Sequence, residues 1–112
     1  MSGWIGVDLD GTLAYYDEWR GIEHIGKPIP LMVGRVKEWL EEGREVRIFT
    51  ARVSDPSTRL KASRYIEAWC EEHIGQKLHV TCIKDFKMIS LYDDRAFNVI
   101  MNTGLVVSVS AP

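Results

Sequence analysis

The spacing of apolar and polar positions changes several times along this chain, and each change marks an element. Trp4 to Leu9 is a short apolar run that ends in acidic residues and Gly11, the pattern of a buried strand followed by a turn. From Ala14 to Pro30 the period is lost among Tyr15, Tyr16, Trp19, Gly21, Gly26, Pro28 and Pro30, which predicts a loop or small flap. Met32, Val36, Trp39 and Leu40 then fall on one helical face, with Gly43 where a C-terminal cap belongs. Glu45 to Thr50 carries Val46, Ile48 and Phe49 as a strand would. After a break at Ser54-Asp55-Pro56, a second helical stripe runs through Ala62, Tyr65, Ile66, Trp69 and Cys70 and is closed by Gly75. Leu78 to Ile83 and Ile89 to Tyr92 read as two further strands. Phe97 to Met101 and Leu105 to Val109 flank Asn102-Thr103-Gly104 as a hairpin.

Strand and helix in alternation predict an α/β fold, a Rossmann-like three-layer sandwich with a mostly parallel sheet covered on both faces. The 112 residues suit one domain, 1–112, with the flap at about 14–30. One junction is tight. A parallel crossover needs about a dozen residues, yet only Lys84 to Met88 separate the last two predicted strands of the sheet. Either Leu78 to Ile83 is not a full parallel strand, or the crossover is trimmed to a single turn.

Composition narrows the function classes. With 46% hydrophobic and 27% charged residues the chain is globular, and a net charge of −2 provides no basic surplus for non-specific nucleic-acid binding. Arg44, Arg47, Arg52, Arg59, Lys61 and Arg64 are expected to form a solvated face. Cys70 and Cys82 lack a CxxC spacing and read as buried free thiols. No apolar stretch is long enough for a signal core or a membrane span, so the expectation is a cytoplasmic protein without a membrane partner.

The chemistry begins at Asp8 and Asp10. Two apart at a strand end, they leave the same side of the backbone, and the C-terminal ends of strands are where open α/β sheets bind ligands. Gly11 allows a sharp turn that exposes backbone N–H groups to a phosphate. Asp93-Asp94 ends another apolar strand. Four carboxylates at two strand ends repel one another unless a hard cation lies between them, and ligation by oxygen alone suits magnesium.

Asp8-Leu9-Asp10-Gly11-Thr12-Leu13 resembles the DxDGT[LV] signature of the haloacid dehalogenase (HAD) superfamily. Thr50, at the end of the second strand, resembles its Thr/Ser motif, and Asp93-Asp94 its terminal acidic motif. Ile48 to Arg52 and Asp93 to Val99 look like small bacterial and phage-encoded members and like the phosphatase halves of polynucleotide end-processing enzymes. The resemblance implies a magnesium-dependent phosphatase with Asp8 as nucleophile and Asp10 as the acid that becomes the base. It implies metal ligation by Asp8, by Asp10 through its backbone carbonyl and by Asp93, with Asp94 close by or acting through water. Thr50 would bond a phosphoryl oxygen, with Gly11, Thr12, Ala51 and Arg52 lining the substrate. A lysine, Lys84 in preference to Lys87, would neutralise developing charge. Arg95 is expected to pair with a neighbouring carboxylate.

Some seventeen residues between Leu13 and Leu31 are too few for a full cap. The expected partner is therefore a phosphorylated small molecule or nucleic-acid end entering an open mouth, or a homo-oligomer supplies the lid. Tyr15, Tyr16, Trp19 and His24 would line the entrance if the flap folds over the site. Two other classes share these features: a receiver-like domain that accepts phosphate on an aspartate, and a catalytically silent HAD-fold binding protein. Turnover of esters discriminates against both.

Overall fold

The computed structural model describes residues 2–107. Strand β1, Trp4–Val7, lies at the heart of a four-stranded sheet with β2, Glu45–Phe49, β3, His79–Thr81, and β4, Met88–Tyr92. Their order is β3-β2-β1-β4 and every pairing is parallel. Helix α1, Pro30–Glu41, connects β1 to β2, and α2, Arg59–His73, connects β2 to β3. The fold is α/β and Rossmann-like, as the alternation predicts.

Local chemistry sets the helix ends. Pro30 opens α1, where its missing N–H costs nothing and its fixed φ suits a first turn. Gly43 closes it at φ +80, the left-handed conformation that lets Arg44 N–H reach back to the Trp39 carbonyl at 2.9 Å. In α2 the buried face is Ala62, Ile66, Trp69 and Cys70, whereas Tyr65 is exposed, so the apolar stripe is narrower than its spacing suggests. Both helices pack on the face formed by Ile5, Val7, Val46 and Ile48. Each such side chain, fully buried, contributes roughly 1.5–3 kcal/mol.

The other face holds Trp4, Arg47 and Phe49, with Arg47 over the Trp4 ring at 4.6 Å. No helix covers it among the described residues. The chain crosses it as a short strap, residues 82–87, which ends in a turn where the Met88 N–H donates to the Asp85 carbonyl at 3.2 Å and which resolves the tight junction. β3 and β4 lie three strand spacings apart, about 14 Å, and by register the return from Thr81 to Met88 drops four residues, about 13 Å. The diagonal is roughly 19 Å, within the reach of about 23 Å for the steps from Thr81 to Met88. Asp85 fastens the strap by accepting from Trp4 Nε1 at 2.9 Å. The crossover is therefore shorter than either α-helix, and the third layer is reduced to this segment.

The flap is closed at its base by Tyr15 N–H on the Lys27 carbonyl at 2.7 Å and Ile29 N–H on the Leu13 carbonyl at 2.8 Å. Trp69 Nε1 donates to the Gly26 carbonyl at 3.0 Å, pinning it to α2. The C-terminal hairpin forms from β5, Asn98–Val99, and β6, Val106–Val107, around Asn102 at φ +66. The expected second strand continues past Val107 to Val109, outside the described residues. Cys70 is buried and Cys82 half-buried, both free thiols. No described helix is long and apolar enough to cross a membrane.

Candidate active site

A cleft of about 830 Å³ opens at the C-terminal ends of β1, β2 and β4. Asp8 follows β1 directly, and its N–H donates to the Tyr92 carbonyl at 2.9 Å, which aligns the end of β1 with the end of β4. The chain then turns tightly: the Leu9 carbonyl accepts from the N–H groups of Leu13 and Ala14 at 3.0 and 2.9 Å. Gly11 sits in this turn at φ +88, and a Cβ there would lie 2.7 Å from Asp94 Oδ2. Glycine is required twice, for the backbone and for the approach of a carboxylate.

Asp8, Asp93 and Asp94 each present a carboxylate oxygen within 4.8 Å of the others. Burial above all, then a hydrogen bond with Asp94 and the charges of Asp93 and Asp94, push the Asp8 carboxyl from its ordinary 3.8 up to about 8. A hard divalent cation would relieve this repulsion, and an all-oxygen donor set fits magnesium. Thr12 Oγ1 orients Asp94 by donating to its Oδ1 at 3.1 Å and accepting its N–H at 3.0 Å. Asp93 Oδ1 accepts the N–H of Arg95 at 2.8 Å.

Asp10 lines the same cleft but its carboxylate does not join that cluster. Both of its oxygens are taken by Arg52: Nε to Oδ2 at 2.7 Å and Nη2 to Oδ1 at 2.8 Å. The Arg52 side chain is only 5% exposed. It also donates to the His24 carbonyl at 2.9 Å and the Ile22 carbonyl at 3.4 Å, and lies over the Trp19 ring at 4.8 Å. Arg52 therefore ties the flap to Asp10, a partner that the sequence expectation of a substrate contact did not include. Thr50 is buried, and its Oγ1 accepts the Arg52 N–H at 3.1 Å, leaving its own proton to donate into the cleft.

Neither lysine is among the residues that line the cleft. Lys87 lies on the strap, where its carbonyl accepts the Trp4 N–H at 2.9 Å at the start of β1, the edge opposite Asp8. Lys84 adjoins Asp85 on the same strap, and neither lysine lines the cleft. Lys87 is thereby carried to the opposite edge of the sheet, whereas Lys84 lies three residues past β3, exposed, close after Cys82, whose Sγ lies 3.8 Å from the Val53 carbonyl. Arg95 lines the cleft instead, and among the described residues it makes no ion pair, contrary to the expected pairing. Its position directly after Asp93-Asp94 was the available signal. Asp55, Thr58 and Phe49 also line the cleft and carried no sequence signal. The predicted basic face is not continuous: Arg47 pairs with Glu45 across Trp4, Arg59 Nε donates to the Val53 carbonyl, and Arg52 is in the cleft.

No protein-family model matches this chain, and no curated protein matches it. A solved structure from Bacteroides thetaiotaomicron, described as a conserved protein coded by a locus of that organism, superposes with a TM-score of 0.59 at 21% identity. The match covers 86% of this chain and 78% of the other. At that identity the likeness establishes a shared α/β fold and nothing about chemistry, and in that respect alone the chain is similar to this Bacteroides protein.

Proposed function

We propose that the chain is a magnesium-dependent phosphomonoester hydrolase of the HAD type, with Asp8 as nucleophile. The observation that carries this reading is the meeting of Asp8, Asp93, Asp94 and buried Thr50 in one cleft at three adjacent strand ends. Asp8, Asp93 and Asp94 would hold the ion, whose positive charge would offset that of the phosphate. An Asp8 oxygen attacks phosphorus and the ester P–O bond breaks, while Asp10 passes a proton to the leaving oxygen. Asp10 then takes a proton from the water that attacks the phospho-aspartate, and the bond to Asp8 breaks to release phosphate. Thr50 donates to a phosphoryl oxygen, and Arg95, which makes no ion pair among the described residues, lines the cleft beside it.

Asp10 can exchange a proton only after leaving the Arg52 fork. A phosphoryl group is the natural competitor, since guanidinium binds it bidentately. The same ion pair favours a second reading, a HAD-fold binding protein in which Arg52 keeps Asp10 silent. A phosphomonoester panel with magnesium and with EDTA decides between them. Metal-dependent phosphate release, with a phosphoryl group trapped on Asp8 by mass spectrometry, supports the hydrolase; phosphate binding without release selects the binding protein.

A further inference from the structure

The walls of the cleft beyond its carboxylates are aromatic. Tyr16 and Trp19 rise from the flap, 43% and 54% exposed, and both line the cleft. The Trp19 ring is not a loose side chain. Arg52 lies 4.8 Å from its centroid, and two flap carbonyls hold that guanidinium whether or not Asp10 is in its fork. A ring faced in this way by a cation is a half-exposed stacking surface in the wall of the same cleft. The cleft, at about 830 Å³, is of the size that encloses a whole small ligand and not a phosphate alone.

Charge narrows the ligand further. Asp8, Asp10, Asp55, Asp93 and Asp94 line the cleft against Arg52 and Arg95, and Arg52 serves either Asp10 or the one phosphate that displaces it. Asp17 and Glu18, next to Trp19 in the flap, are both paired with Arg20, at 2.9 and 3.4 Å. One phosphate can be balanced at the strand ends, but a second phosphate, on a polyphosphate or a strand backbone, would find no further arginine or lysine among the residues that line the cleft. A sugar phosphate would leave both aromatic rings wet.

We infer that the substrate is a free nucleoside monophosphate, its phosphate at Asp8 and its base stacked on Trp19 with Tyr16 alongside. This inference rests on the hydrolase reading of the same cleft. Stacking of one base contributes about 1–3 kcal/mol by alanine substitution, which is about 5- to 150-fold in kcat/KM.

The test compares adenosine 5′-monophosphate, ribose 5-phosphate and a 5′-phosphorylated oligonucleotide, with magnesium, in the parent, Trp19→Ala, Trp19→Phe and Tyr16→Ala proteins. The parent is expected to prefer the mononucleotide to both alternatives. Trp19→Ala should lower the mononucleotide to sugar-phosphate ratio of kcat/KM by about tenfold, with Trp19→Phe restoring most of it and Tyr16→Ala lowering it less. A parent ratio near one, or a ratio that Trp19→Ala does not move, overturns the inference and leaves the hydrolase reading in place. Preference for the oligonucleotide overturns it in favour of a strand end. If no ester is turned over, calorimetric titration of adenosine 5′-monophosphate into Asp8→Asn and Asp8→Asn/Trp19→Ala separates the two readings. Binding that depends on Trp19 keeps the stacking site while the hydrolase reading falls; the absence of such binding overturns both.

Discussion

Arg52 grips both oxygens of Asp10 at 2.7 and 2.8 Å, and the same guanidinium holds two carbonyls of the flap. The expected proton shuttle and the cover of the site therefore share one cation. The base of the flap is pinned separately, by Leu13, Tyr15 and Trp69, so Arg52 is the polar link to its tip.

Arg52→Ala should free that tip and destabilise the fold by about 1–3 kcal/mol, the cost of leaving a partly buried carboxylate without its partner, discounted for the solvent that still reaches Asp10. Trypsin cleavage after exposed Arg20 should accelerate, and hydrogen exchange over residues 16–24 should rise. A flap as protected in the variant as in the parent would remove Arg52 from this role.

Asp8→Asn should abolish phosphate release from every ester that the parent hydrolyses, because the missing oxygen is the nucleophile. Circular dichroism should show the fold retained. Residual turnover in the purified variant would rule out the covalent role of Asp8.

The Asp8 carboxyl also links stability to pH. In the metal-free protein its folded value, about 8, lies above the ordinary 3.8, so between these values the folded state keeps a proton that the unfolded chain has released. The contribution is fully present below about pH 4 and is lost as pH rises to about 8. Tm of the metal-free protein should fall across this window relative to Asp8→Asn, and magnesium should recover most of the difference at pH 8. Parallel Tm profiles for the two proteins would refute the assignment.

Gly11→Ala should cost about 1–2 kcal/mol from its left-handed backbone alone, and its methyl would displace the Asp94 carboxylate. Denaturant unfolding measures the first effect and calorimetric titration with magnesium the second. Unchanged magnesium affinity would detach Asp94 from the metal site.

Lys87→Ala should keep the parent kcat/KM, since the strap carries Lys87 to the start of β1, the edge opposite Asp8. Asp85→Ala, on the same segment, should lower Tm by about 5 °C because it strands the buried Trp4 indole N–H without a partner. A large loss of rate in Lys87→Ala would show that the strap moves to the top of the sheet during turnover.

What the sequence determined by itself is local. Apolar period, β-branched runs and the glycines at 43 and 75 specify each strand and helix, since these depend on neighbours within a turn or a strand. The acidic residues at two strand ends follow from the same reading, because parallel strands bring their C-terminal ends to one edge. Only the tertiary structure decided who holds whom there. The Arg52–Asp10 pair joins residues 42 apart, and Thr12 meets Asp94 across 82, contacts that no periodicity encodes. The lysines illustrate the same limit. Whether a segment stays at the top of a sheet or crosses its face depends on strand order and the distance to be spanned, and here a six-residue return pinned by Trp4 and Asp85 took Lys87 to the edge opposite the carboxylates.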